Sequence, residues 1–408
     1  MYRIMKDRNE AMKDEVRDFA SELLKISSIS QNEKKAAEFI CGKMKQLGYD
    51  DAFIDNAGNA IGVIRGRTPE AAVILNSHID TVSPDEEKWT MPPLSGKIED
   101  GKLMGVGASD CKAGLASQIF AGALLKRSLL PMRGPFVVAA TVAEENGCSI
   151  GLRKFVSDTL PSLGMKAGFA ILGEPTGNGL YYGHDGWVEV NIHIEGANPF
   201  QVSDTARSIN SDLSLVSINR NKFAAMEEMS IGRPVFNDNS GFRAADMCVS
   251  KRLRGSESSE EVVSWLNHEV GVLVQNERKV AVEVAVISEN QKMYNGSRTI
   301  VKRVTNAWQT DPYSPLMQRA RQSLSAAECE VRTGKWNLGR LGMGTAGSVF
   351  SGEFKIPVIG YGPGTEECAH APDEFVLLDK IYESVYGTAA IVHGLVGIPV
   401  CGWTSDEI

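Results

Sequence analysis

At 408 residues the chain exceeds what a single simple core accommodates, so two domains are expected. With 43% hydrophobic and 23% charged residues the composition is that of an ordinary globular protein. A formal net charge of −8 without any Lys/Arg cluster argues against a nucleic-acid partner, and no apolar run reaches membrane-spanning length.

The charged N-terminus, Met1-Tyr-Arg-Ile-Met-Lys, has no signal-peptide core. Seven cysteines, scattered and without a Cys-x-x-Cys pair, suit a reducing cytoplasm; the expected location is cytoplasmic. Val16, Phe19, Ala20, Leu23 and Leu24 recur at helical spacing and predict a first amphipathic helix. A second helix is predicted over residues 33–47, stopped by Gly48. Short apolar segments at 52–54 and 60–64 flank the turn signal Asn56-Ala-Gly58-Asn59. The run Val73-Ile-Leu-Asn-Ser-His78-Ile-Asp80 follows, a strand with an acceptor-rich tip. Helices over 112–127 and 149–159 alternate with continuous apolar strands at 134–142 and 167–172, the kind buried on both faces. This alternation predicts α/β architecture with a mainly parallel sheet flanked by helices.

Near residue 185 the pattern changes. In Trp187-Val-Glu-Val-Asn-Ile-His-Ile194 apolar and polar residues alternate, so one face of this sheet is wet. Val280, Val282, Val284 and Val286 repeat the alternation, and helices are predicted at 204–216 and 260–273. A buried-type strand at 356–360 and a closing helix at 377–395 return the chain to its first pattern. The expected division is therefore 1–184 and 298–408 for the catalytic part, with 185–297 as an inserted α+β domain.

Five side chains of metal-ligand type stand at or just beyond strand ends of the first sheet: His78, Asp110, Glu145, Glu174 and His370. Ligands bind open α/β sheets at the carboxyl ends of their strands. Two imidazoles and three carboxylates suit two borderline divalent ions sharing one carboxylate, rather than a closed structural zinc site. His78 and Asp80 lie two apart on a strand, so the carboxylate can hold the imidazole's second nitrogen, or both can point into the same cleft. Of the adjacent Glu144 and Glu145, one would bind a cation and the other serve as general base. Gly147-Cys-Ser149-Ile-Gly151 matches a nucleophile elbow, and Ser149, Asp373 and His393 could be ordered as a triad. Three residues separate that elbow from its strand, however, and His393 falls inside a helix. His193 and His268 read as solvent-facing, and His184 as a junction residue able to touch substrate.

Taken together, His78-Ile-Asp80-Thr-Val82, Gly107-Ala-Ser-Asp110-Cys-Lys112, Glu144-Glu145-Asn-Gly147, Gly173-Glu174-Pro175-Thr176 and His370-Ala-Pro372-Asp-Glu374 resemble the aminoacylase-type metallopeptidases. That family includes acetylornithine deacetylase, succinyl-diaminopimelate desuccinylase and the glutamate-releasing carboxypeptidases. Asp55-Asn-Ala-Gly58-Asn59, Glu174-Pro-Thr176 and Ile359-Gly-Tyr-Gly362-Pro-Gly364 look most like its selenium-metabolism-linked hydrolases. The resemblance implies a zinc-exopeptidase-like catalytic domain and two divalent ions, zinc foremost, with cobalt or manganese also suited. One ion would be held by His78 and Glu174, the other by Glu145 and His370, with Asp110 bridging. Glu144 would be the general base and Asp80 the residue orienting His78. The inserted domain would act as lid and homodimer contact.

Two departures touch the substrate side. The family's lid histidine, four residues after a glycine, is replaced in Gly196-Ala-Asn-Pro-Phe200 by Phe200, whose ring donates no hydrogen bond. Asn198 or His184 would have to stand in. The family's substrate-carboxylate arginine corresponds to Arg252. The expected activity is hydrolysis of an amide, N-acyl or peptide bond in a small carboxylate-bearing substrate. The alternatives are a hydrolytic deaminase-type reaction on a non-peptide substrate, a metal-binding homologue with little turnover and, last, a serine hydrolase using Ser149.

Overall fold

The computed structural model describes residues 1–69, 71–145, 149–218, 229–237, 241–255, 257–275, 280–338 and 344–398. Its main sheet has eight strands. The centre is four mutually parallel strands, Phe136–Thr141, Ala72–His78, Ala167–Leu172 and Val358–Gly360. Phe136–Thr141 and Ala72–His78 are buried along their whole length, which is why both read as unbroken apolar runs. Apolar side chains on both faces leave no wet side to alternate with.

The sheet is mixed: its core is parallel, as expected, but it is not purely parallel. Strands Asp51–Ile54 and Ala60–Ile64 form an antiparallel hairpin through the Asn56–Asn59 turn and join Phe136–Thr141 antiparallel. Strand Leu180–Tyr181 adds an antiparallel contact at the far side. Helices Tyr2–Leu24, Ala113–Arg127 and Leu378–Val396 cover one face of the sheet. The other face packs on Leu152, Phe155, Trp308, Trp336 and Phe350. No helix among the described residues is long and apolar enough to cross a membrane.

A second sheet is built on the antiparallel pair Gly186–Gly196 and Ala244–Leu253, with Val280–Val286 on its other side. Burial alternates along Gly186–Gly196. Val188, Val190, Ile192 and Ile194 point into an apolar layer with Val202, Ile209 and Leu266 from helices Pro199–Ile218 and Ser259–Val274. The first of these helices begins earlier than the apolar spacing indicates, at Pro199. Proline is tolerated in a helix's first turn because its missing N–H has no partner there. The chain leaves this sheet through a polar hairpin, Ser288–Lys292 paired with Arg298–Lys302. That hairpin lies across the 297/298 boundary drawn from sequence.

Candidate metal centre

The centre lies at the carboxyl ends of the parallel strands. His78 is the last residue of its strand and only 2% exposed. Its Nδ1–H donates to the carbonyl oxygen of Asp80 at 2.8 Å, which leaves the Nε2 lone pair facing the site. Nε2 lies 3.2 Å from Asp110 Oδ1 and 3.9 Å from Glu174 Oε2. The other Asp110 oxygen lies 3.4 Å from His370 Nε2, and that same nitrogen is 2.9 Å from Glu145 Oε1. Two ligand groups result, His78–Asp110–Cys111–Glu174 and Asp110–Glu145–His370, each with donor atoms within 4.8 Å of one another. Asp110 belongs to both.

Backbone contacts hold these side chains at close quarters. Gly114 opens the helix behind Asp110, and a Cβ there would come to 1.8 Å from the carbonyl oxygen of Gly173; only glycine lets this helix meet the Glu174 turn. A Cβ at Gly364 would sit 2.2 Å from the Ser109 carbonyl oxygen, so the His370 loop depends on a second close approach. Ala143 and His370 hold left-handed φ values of 54° and 56°. Such conformations cost about 1–3 kcal/mol each and persist where surrounding contacts impose them.

Those contacts come from carboxylates one step outside the ligand groups. Asp80 is fully buried, and its carboxylate lies 3.8 Å from His78 Nδ1. It is instead occupied by the Glu144 N–H at 3.1 Å, the Glu145 N–H at 3.0 Å and the Ser30 hydroxyl at 2.6 Å. Asp80 thus meets the imidazole through its main chain and holds the Glu144–Glu145 turn through its side chain. Glu374 accepts from the N–H groups of Gly107, Ser109 and Asp110 at 2.7–2.9 Å. It thereby ties the His370 loop to the loop that presents Asp110. Burial and the Asp110 charge push Glu374 up to about 8.

The electrostatics test whether cations fit. Burial and neighbouring carboxylates push Glu144 up to about 8 and raise Glu145 and Glu174. Burial works against protonating His370, yet its hydrogen bond to Glu145 and the Asp110 charge bring it up to about 9. His78 is likewise raised, by Cys111, Asp110 and Glu174, against the effect of burial. Asp110 runs the other way; its carboxyl lies low, against burial, because it sits between two imidazoles. Apart from Asp110, the groups of this cluster hold protons more tightly than they would in water. The ion pairs of Asp110, Glu145 and Glu174 run to imidazoles. Buried carboxylates crowded in this way call for positive charge, and this donor set suits two divalent cations.

The remaining sequence candidates lie outside both ligand groups. Arg252 donates to the Leu338 carbonyl at 2.8 Å. Asn198 Oδ1 accepts the Phe200 N–H at 2.9 Å, at the start of its helix, and Phe200 itself is 82% exposed. His184 is buried beside Trp308 and Trp336. Its Nδ1–H donates to the Asp185 carbonyl, and its Nε2 accepts the Thr345 N–H at 3.0 Å. Gly147 and Cys148 of the elbow motif lie outside the described residues. The Ser149 hydroxyl points to Glu144 Oε1 at 3.4 Å, Asp373 accepts from Thr90, and His393 is buried in the closing helix. Nothing in that arrangement forms a triad.

Three participants were not legible as such in the sequence. Cys111 joins the first ligand group. Glu374 and Ser30 act on residues far away in the chain, and only the position of Glu374 within the His370 motif marked it.

A mixed α/β sheet with a two-cation ligand set at its strand ends is the framework of a metal-dependent hydrolase. The chain belongs to peptidase family M20/M25/M40, whose model matches residues 74–393. It is similar along its length to the Escherichia coli (strain K12) protein YgeY, 27% identical over 409 residues, covering 95% of this chain and 94% of that one. Its fold is similar to that of human carnosine dipeptidase 1, with a TM-score of 0.67 at 13% identity, covering 97% of this chain and 99% of that chain. It is also similar to Bacillus subtilis YXEP, a dinuclear metal binding peptidase from the M20 family. There the TM-score is 0.68 at 15% identity, covering 95% of this chain and 99% of that chain.

Proposed function

We propose that the protein is a two-metal hydrolase that cleaves an amide, N-acyl or peptide bond in a small carboxylate-bearing substrate. The observation that carries this reading is Asp110, whose two carboxylate oxygens face two separate ligand groups. His78 and Glu174 would hold one ion, Glu145 and His370 the other, with Asp110 between them. Divalent ions bound there supply Lewis acidity, which lowers the pKa of a water and polarises a carbonyl.

The chain's own groups do the rest. Glu144 lies among the ligands without belonging to either group, and its carboxylate is free to take a proton from the attacking water and return it to the leaving nitrogen. Ser149, at 3.4 Å from Glu144 Oε1, steers that carboxylate. Asp80 fixes the turn on which Glu144 and Glu145 stand, so base and ligand keep their separation. Zinc suits the imidazole–carboxylate set, as do cobalt and manganese. The motifs at 55–59, 174–176 and 359–364 are what support placement near the selenium-linked branch. The second sheet, residues 185–297 in our division, would serve as the lid and as a homodimer contact.

The test is metal content and turnover measured together. Glu144→Ala is expected to keep both ions and lose about 10²–10⁴ in turnover, the usual worth of a general base, while Glu145→Ala loses one ion. Equal loss of metal in both variants, or full activity after chelation of the wild type, overturns the reading.

A further inference from the structure

A cavity of about 510 Å³ opens beside the metal centre, with Glu145 in one wall and the hairpin Ser288–Lys292/Arg298–Lys302 in the other. Most of its charged lining is already matched. Glu145 pairs with His370, and Glu289 with Arg303. Lys292 and Arg298 remain. Among the described residues neither has a hydrogen-bond or ion-pair partner. In the hairpin register they are directly opposite each other, and like charges at such positions repel.

The backbone that carries them is held in place on both sides. Met293 and Val301 are buried at 4% and 5% exposure in the main core. At the tip, the Tyr294 hydroxyl donates to the Gly58 carbonyl at 3.0 Å and the Asn295 amide to the Asn56 carbonyl at 2.6 Å. The hairpin therefore spans from the second sheet to the turn at residues 56–59 and cannot drift to separate its cations. Two opposed positive side chains, both exposed to solvent, thus stand on an anchored ribbon and line a cavity that reaches Glu145.

We propose that Lys292 and Arg298 form an anion subsite that receives a carboxylate of the substrate, remote from the bond broken at the metal centre. This rests on the hydrolase reading and deepens it, since the preferred substrate then carries a carboxylate at the hairpin end of the cleft. The guanidinium fork and the ammonium supply convergent donors for one carboxylate.

The experiment uses the zinc-loaded full chain with matched substrates that differ by one carboxylate, N-acetyl-L-alanine against N-succinyl-L-alanine and N-acetyl-L-glutamate. The double variant Lys292→Ala/Arg298→Ala is expected to lower kcat/KM about 100-fold for whichever carboxylated substrate the wild type prefers, mainly through KM. N-acetyl-L-alanine should be unaffected, and Lys292→Arg alone should keep most of the preference. An unchanged ratio between the matched substrates in the double variant overturns the subsite and leaves the hydrolase standing. Calorimetric titration with glutarate provides a readout independent of turnover, with affinity expected to fall at least tenfold in the double variant. Binding through these two residues without cleavage of any substrate in the panel supports the subsite and counts against the hydrolase. Equal glutarate affinity in both proteins, or wild-type binding of inorganic phosphate but not glutarate, overturns the carboxylate assignment.

Discussion

Asp80→Asn separates two ways in which this aspartate could serve the centre. Its carboxylate accepts the N–H groups of both Glu144 and Glu145, at 3.1 and 3.0 Å, and the Ser30 hydroxyl, while His78 is held by the Asp80 main-chain carbonyl. An amide at this position keeps one oxygen. Whichever way it sits, its NH₂ faces one of the two backbone N–H groups, donor against donor. A hydrogen bond to a charged acceptor contributes about 1.5–3 kcal/mol, so the turn is weakened by about 2 kcal/mol, roughly 30-fold in an equilibrium constant. The expected result is lower turnover and looser metal on the Glu145–His370 side, with metal on the His78–Glu174 side retained. Metal stoichiometry under graded chelator, measured for Asp80→Asn alone and combined with Glu145→Ala or Glu174→Ala, reads this directly. The pair with Glu145→Ala should be non-additive and the pair with Glu174→Ala additive. If the reverse holds, and the His78–Glu174 ion leaves first, the carboxylate acts on the imidazole and our account of the turn is wrong.

Glu374→Gln removes one carboxylate oxygen from a clamp on three backbone N–H groups. We expect a folded protein by circular dichroism whose metal affinity is 10–100-fold weaker, the usual effect of losing a group that positions ligands; unaltered affinity would remove Glu374 from the centre. The pH dependence of stability should carry the mark of His184. Burial, with the Arg252 charge adding to it, pushes this imidazole down to about 4, whereas the unfolded chain protonates near 6.5. Between these values the unfolded state binds more protons, so the contribution is complete above about 6.5 and is lost as pH falls towards 4. The loss is roughly 3 kcal/mol at 1.36 kcal/mol per unit. The fall in urea midpoint of the chelated protein between pH 7 and 4.5 should therefore be smaller in His184→Gln than in the wild type, and an equal fall in both would rule out this origin.

What the sequence reveals, and what it hides, follows from how far each interaction reaches. His78, Glu174 and the Glu144–Glu145 pair were legible because an apolar strand that ends in a ligand-type residue is a local pattern. Asp110 and His370 lie on loops, and they stood out through the company of the others. Adjacency in sequence pointed the Asp80 side chain to His78, whereas its hydrogen-bond partners, Ser30 and the turn after another strand, lie too far along the chain for any local pattern to show. The antiparallel edge at 51–64 had its turn signal in Asn56–Asn59. The two-residue strand Leu180–Tyr181 had none, being too short for any periodicity. The hairpin 288–302 escaped notice because its exposed polar residues show neither period.

The same ribbon separates two kinds of evolutionary freedom. The proposed cation ligands stand at the end of strand Ala72–His78 and on the turns and loops packed directly over the buried strand ends, so substitutions there jeopardise folding together with chemistry. Lys292 and Arg298 stand on a polar strip fastened at its tip by two hydrogen bonds, where replacing a side chain disturbs little packing. Specificity can therefore drift quickly among descendants of this chain while the reaction they perform stays the same.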